Sequence, residues 1–216
     1  MLELLLGGEY ALFVMMLIAI VISLTFHEYG HALVAKLFGD NTAQLAGRLT
    51  LNPAAHIDAM GLMLVALVGF GYAKPVPTNS RNFKSLWASM FVSAAGPAMN
   101  LLVAIVSVNV YMLGRNLGWS VMQTDGAQVF FVYLALFNLI LMLFNLLPIG
   151  SLDGHYILPY FLPRKAAQAY VSWNAAYGNN VLLGLMLLSL FGIPVFRTIW
   201  NIGRSLLPLI SWVGNP

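Results

Sequence analysis

The 216-residue chain contains no cysteine. Disulfides, thiolate ligands and a thiol nucleophile are therefore excluded, and any metal must be held by histidine, aspartate or glutamate. Charge is almost as scarce: 8% of the residues are Asp, Glu, Lys or Arg, against about 25% in an ordinary soluble domain. With 60% hydrophobic residues, most of the surface must face the lipid bilayer rather than water, which is the composition of a polytopic membrane protein. The net charge of +3 is scattered over loops and forms no basic stripe, so nucleic acid is not the expected partner. No internal repeat, low-complexity segment or composition shift marks a second unit, and one domain over 1–216 is expected. The opening MLELLLGGEY has Glu3 and Glu9 but no Lys or Arg. Without the basic start of a secretory signal, the first apolar run is expected to stay as a membrane helix.

Long apolar windows fall at 10–37, 86–113, 127–147 and 181–196, each near the roughly 20 residues that cross a bilayer. A fifth, MGLMLVALVGFGYA at 60–73, is shorter, holds three glycines and runs into Lys74-Pro75-Val76-Pro77. If that window dips in and returns, Lys36, Arg48, Lys74, Arg81, Lys84, Arg164 and Lys165 share one side, with Arg115, Arg197 and Arg204 opposite; if it crosses, the split is five against five. Because Lys and Arg concentrate in short cytoplasmic loops, the re-entrant reading is preferred, with the 36–85 region cytoplasmic. Arg48, Leu49, Thr50 and Leu51 alternate and are closed by Asn52-Pro53, the pattern of a short strand at the membrane surface. Beyond Pro148, Pro159 and Pro163, the spacing of Tyr170, Trp173 and Tyr177 predicts an interfacial helix with an aromatic anchor.

The first span ends in FHEYGHALV, residues 26–34. His27 and His31 are four apart, so on a helix they project from one face a turn apart and can chelate one ion, with Glu28 beside them. An ionised group inside a span costs about 2.5 kcal/mol or more and persists mainly for function, which disfavours a chance match. A catalytic zinc site needs a third protein ligand and an open position for water. Asp153, in FNLLPIGSLDGHYIL at 144–158, follows directly on a span. With 60–73 re-entrant, the first span and the 127–147 span both end on the cytoplasmic side and Asp153 comes within reach of the histidines.

These residues resemble the site-two protease family of intramembrane zinc metalloproteases. The resemblance rests on HEYGH at 27–31, RLTLNPAAHID at 48–58, AKPVP at 73–77, GPAMN at 96–100 and FNLLPIGSLDG at 144–154. It implies His27, His31 and Asp153 as ligands of one zinc ion, Glu28 as catalytic base, and Asn145 as a polar group near the substrate or the developing oxyanion. The family fold it implies, a three-helix core with a small surface sheet, agrees with the strand reading. The expected architecture is thus an all-α bundle of four to five spans plus a re-entrant segment, with a small β-sheet at the membrane surface. Two departures stand out: Ala55 and Ala59 flank His56-Ile57-Asp58 where relatives carry a basic residue and proline, and Gly150-Ser151 precedes Leu152 where relatives often have Pro-Pro. His56 can support the site or simply pin a surface turn. Gly96-Pro97 and Asn100 lie within a span, where packing and a role beside the metal are both open. His155 is given no role by the resemblance.

The function expected is hydrolysis of peptide bonds within or near transmembrane segments of protein substrates, with backbone recognition at the 48–52 strand edge. A prokaryotic plasma membrane with the site toward the cytoplasm is the expected location; the oligomeric state is left open. The alternatives are a metal transporter, which would need polar groups through both leaflets, a non-proteolytic metal-binding membrane protein, and a structural scaffold.

Overall fold

The computed structural model describes residues 1–68, 71, 73–191 and 194–214. Its α-helices among the described residues are α1 (Leu2–Leu6), α2 (Tyr10–Leu37), α3 (Thr42–Leu45), α4 (Pro53–His56), α5 (Ala59–Val68), α6 (Ala88–Asn116), α7 (Asp125–Asn145), α8 (Asp153–Ile157), α9 (Arg164–Trp173), α10 (Asn179–Leu190) and α11 (Val195–Ile210). Among the described residues three helices, α2, α6 and α7, are long and apolar enough to cross a membrane. They pack on one another through small residues. Ala19, Ala32, Ala35, Ala88, Ala95, Ala104 and Ala135 are buried, and a methyl built on Gly30 would lie 2.7 Å from the Ala95 carbonyl oxygen. Between spanning helices, close backbone approach of this kind supplies the dispersion that the hydrophobic effect does not. Tyr111 stacks on Phe131 and Asn100 reaches Asn138, so α6 and α7 run antiparallel over a core of Ala104, Val108, Tyr111, Ala135 and Leu139.

The expectation of four to five spans is corrected. The 181–196 window does not form one helix: α10 ends at Leu190 and α11 starts after Pro194, so the apolar run is shared between two helices of 12 and 16 residues. Proline fixes its own φ and lacks the donor that would continue a helix. The 60–73 window holds the ten-residue α5, about 15 Å long and half a bilayer core, with residues 69, 70 and 72 outside the described set. Its flanks meet: Ile57 pairs with Ala73, and the Lys74 N–H donates to the His56 carbonyl at 2.8 Å.

The small surface sheet is also corrected, since the described residues contain no strand and the Ile57–Ala73 pairing is an isolated bridge. The physical reason lies in where residues 48–52 send their polar groups. The Thr50 carbonyl accepts from His56 Nε2 at 2.7 Å, and the Asn52 side chain caps α4 by accepting from the Ala54 N–H at 3.1 Å. Arg48 turns inward and donates to the carbonyls of Pro75 and Lys74. Facing it, Pro75 and Pro77 have no N–H to offer a ladder. Alternation in the sequence is thus met by side chains, and the edge never forms.

Candidate metal centre

α2 carries His27, Glu28 and His31 near its C-terminal end, where the helix is pressed on α6. Gly96 of α6 is what lets the imidazoles in: a Cβ there would lie 2.6 Å from His27 Cε1 and collide with His31 Nε2. The third group arrives from the turn after α7. Asp153 places Oδ2 3.3 Å from His27 Nε2 and Oδ1 3.4 Å from His31 Nε2, and the two Nε2 atoms are 3.0 Å apart. All three donors lie within 4.8 Å of one another, on helices α2 and α8.

Hydrogen bonding on the far side of each ring fixes its tautomer. The amide nitrogen of Asn100 donates to the Ser23 carbonyl at 3.1 Å and to Asn138 Oδ1 at 2.8 Å. Its Oδ1 must therefore face His27, whose Nδ1–H donates to it at 2.7 Å. Asn138 is held in turn by donating to Ser23 Oγ and the Leu134 carbonyl. His31 donates Nδ1–H to the Val92 carbonyl at 2.7 Å. Both protons are thus spent at Nδ1, and each Nε2 presents a lone pair. Two lone pairs and a carboxylate converging within a largely buried space repel one another unless a cation lies between them, and Asp153 Oδ2 is a buried oxygen with no hydrogen-bond partner. Imidazole and carboxylate in a three-donor set with one side open is the ligand pattern of catalytic zinc, and outer hydrogen bonds on each imidazole are how such sites are oriented.

Beside these donors is a cavity of about 660 Å³, lined by Glu28, Val76, Ser93, Phe144, Asn145 and Tyr156 among others. Glu28 is buried, and its Oε2 accepts the Val76 N–H at 3.0 Å. Val76 belongs to a strap over residues 73–84 that is tied down at both ends. Arg48 grips the carbonyls of Lys74 and Pro75; burial pushes its guanidinium down, and the nearby Glu28 charge opposes that. Asp40 accepts from the Asn79 N–H at 2.6 Å, from the Asn82 amide at 2.9 Å and from the Thr42 hydroxyl at 2.5 Å. Asn145 reaches the cavity wall while donating one amide hydrogen to the Leu141 carbonyl at 3.0 Å.

The structure brings His27, His31, Asp153, Glu28 and Asn145 to one cavity and sets Asn100 behind His27. It keeps His56 away. That side chain is fully buried, donates to the Thr50 carbonyl and pins the 50–56 turn. His155 donates Nδ1–H to the Tyr170 hydroxyl at 3.2 Å, and Tyr170 donates to the Pro148 carbonyl at 2.9 Å. The sequence reading missed Ser23 and Asn138, the Val76 N–H, and Asn174. The last lies in a π-helical turn at 174–178, where its amide makes two 2.8 Å bonds to the backbone N–H and C=O of Gly150, three residues before Asp153. Gly150 has φ +63, a conformation suited to glycine, so the Gly150-Ser151 departure from Pro-Pro is matched by a partner for the N–H that proline lacks.

Comparison with known proteins gives the family. The sequence profile of peptidase family M50 matches residues 15–124 and 115–189. The chain is 39% identical over 205 residues to the Bacillus subtilis protein named "Putative zinc metalloprotease YwhC", covering 93% of both chains. It is 32% identical over 162 residues to the Mycolicibacterium smegmatis protein named "Putative zinc metalloprotease Rip2", covering 70% of this chain and 59% of that one. Rip2 of Mycobacterium tuberculosis is likewise 32% identical, over 158 residues. No solved structure matches. Spanning-length helices, a histidine–aspartate cluster facing a cavity, and a profile match over most of its length together establish that the chain is a membrane protein belonging to peptidase family M50.

Proposed function

We propose that this chain is an intramembrane zinc metalloprotease, acting as a single domain, that hydrolyses peptide bonds within or near the spanning segments of other membrane proteins. The observation that carries the reading is the convergence of two Nε2 lone pairs and the Asp153 carboxylate beside Glu28. His27, His31 and Asp153 would hold the ion. When bound, zinc supplies a Lewis acid for the scissile carbonyl and lowers the pKa of its water toward about 7. Glu28 acts as the base: with Oε2 accepting the Val76 N–H, its Oε1 takes the water's proton and hands it to the leaving amine. Asn145 has a second amide hydrogen beyond the one given to Leu141, and it is directed to the carbonyl oxygen of the substrate, where negative charge develops. Asn100 acts through His27 by keeping its proton on Nδ1.

The location is a prokaryotic plasma membrane with the site toward the cytoplasm. Lys36 in the last turn of α2 and Arg48, Lys74, Arg81 and Lys84 on the connections between α2 and α6 lie at the same end of the bundle as Asp153, and positive charge of that kind favours the cytoplasmic side. The test is to purify the chain in detergent, measure bound metal, and follow cleavage of a spanning test substrate by wild type and Glu28→Gln. Metal retained with cleavage lost is the expected result. Equal cleavage by both removes Glu28 from its role, and a protein that never binds metal removes the enzyme reading.

A further inference from the structure

Helix α11 lies beside a spanning helix for most of its length. Phe196 packs on Phe144 with ring centroids 5.9 Å apart, Gly203 faces Leu136, Leu139 and Ile140, and the Ile210 carbonyl accepts from Asn109, close in the helix to Tyr111, which stacks on Phe131. It therefore runs antiparallel to α7 from the metal-site end outward, which corrects the loop count: Arg197 lies at the metal-site end and not opposite it. α7 has 21 residues, about 31 Å, which matches the bilayer core, so residues beside its middle lie in hydrocarbon. Arg204 follows Gly203 at that depth.

The side of α11 turned away from α7 is polar. Arg197, Asn201, Arg204 and Ser205 recur at helical spacing and are exposed, while Ile199, Gly203 and Leu207 on the other side are buried. Ser205 donates to the Ile202 carbonyl within its own helix. Neither Asn201 nor Arg204 has a hydrogen-bond or ion-pair partner among the described residues. An arginine can send its charge along the helix toward headgroups, but an asparagine side chain is too short to do so. An unpartnered guanidinium and amide side by side in hydrocarbon are costly, and such residues are kept where something answers them. The guanidinium can only donate and the amide can donate beside it, so what answers them must include an acceptor.

We propose that the Asn201–Arg204 face of α11 docks a membrane-spanning helix of a different protein that carries an aspartate or glutamate at the depth of Arg204. A second copy of this chain does not provide one. Of its seven acidic residues, Glu28, Asp40 and Asp153 are used within the fold, Glu3, Glu9 and Asp125 lie at or before the starts of α2 and α7, and Asp58 is in the α4–α5 connection. The face belongs to α11 rather than to the cavity, so the partner is an adjunct of the enzyme and not a residue of its site.

The experiment uses the full chain in phosphatidylcholine vesicles with a poly-leucine spanning peptide bearing one central glutamate, and energy transfer as the readout. The absence of cysteine allows a single reporter thiol to be placed with no background. The glutamate peptide is expected to associate about tenfold more tightly than its all-leucine counterpart, the worth of one charge-assisted hydrogen bond, and Arg204→Leu should erase that preference. Arg204→Lys should retain part of it. Unchanged metal content in each variant certifies the fold. Equal association of the two peptides, or a preference that survives Arg204→Leu, overturns the proposal. So does Arg204-dependent self-association without peptide, which assigns the face to a second copy. An Arg204 effect seen only as preference for phosphatidylglycerol overturns it in favour of lipid.

Discussion

Asn100 illustrates how one amide can set the tautomer of an imidazole in the candidate metal centre. Its nitrogen is committed to the Ser23 carbonyl and Asn138, so its oxygen holds the His27 proton on the outer nitrogen. Asn100→Leu should lower zinc affinity about 10- to 100-fold, the usual consequence of losing such a support, as measured by chelator competition. Asn100→Asp keeps an acceptor for His27 and should lose less. Gly96→Ala acts on the same rings by volume, since the added methyl would sit 2.6 Å from His27 Cε1. Metal content should drop sharply in that variant while helicity by circular dichroism is preserved. Asn174→Ala removes both bonds to Gly150 and frees the turn that delivers Asp153. Its zinc affinity should fall with little change in that of an Asp153→Ala background, a cycle that separates positioning from general destabilisation.

At the scale of elements, the 73–84 strap has the most specific chemistry, because it joins Glu28 to two buried charged groups outside the spans. Burial raises the cost of charge on Asp40, yet the donors from Thr42, Asn79 and Asn82 outweigh it and hold the carboxyl at about 2, below its ordinary 3.8. A group whose folded value is depressed stabilises above its ordinary value, and the contribution fades as pH falls from about 4 toward 2. Pepsin cleavage within 73–84 should therefore rise over that window. Asp40→Asn should show raised cleavage already at its upper end and a flatter dependence. The strap also shows where reading the sequence went astray. Alternation at 48–51 is real, but a ladder needs donors on the facing segment, and the prolines at 75 and 77 withhold them. Likewise the fourth apolar run was visible, whereas its division at Pro194 depends on a single residue that hydropathy averaging passes over. The three long spans, by contrast, were written plainly in their length and uniformity.

For the whole molecule, bringing two lone pairs and a carboxylate together is unfavourable without a cation, so metal binding and folding are linked. Ligand at a hundred times its Kd stabilises by about 2.7 kcal/mol. Chelation should accordingly lower the unfolding temperature of wild type in detergent and leave that of Asp153→Ala almost unmoved. The convergence of His27, His31 and Asp153 was legible because helical spacing pairs His27 with His31, and because a count of basic loops puts the end of the third long span at the same end as the first. Their supports were not. Ser23 and Asn138 have no pattern linking them to Asn100, and the Val76 donor is a backbone group with no signature in any side chain.

The donors come from opposite ends of the message: the histidines from the first long helix, the aspartate from the turn beyond the third. The early helix is therefore made well before the aspartate that completes the group. A ribosome-bound chain that stops short of Asp153 lacks one of the three converging groups, and it should therefore retain no zinc.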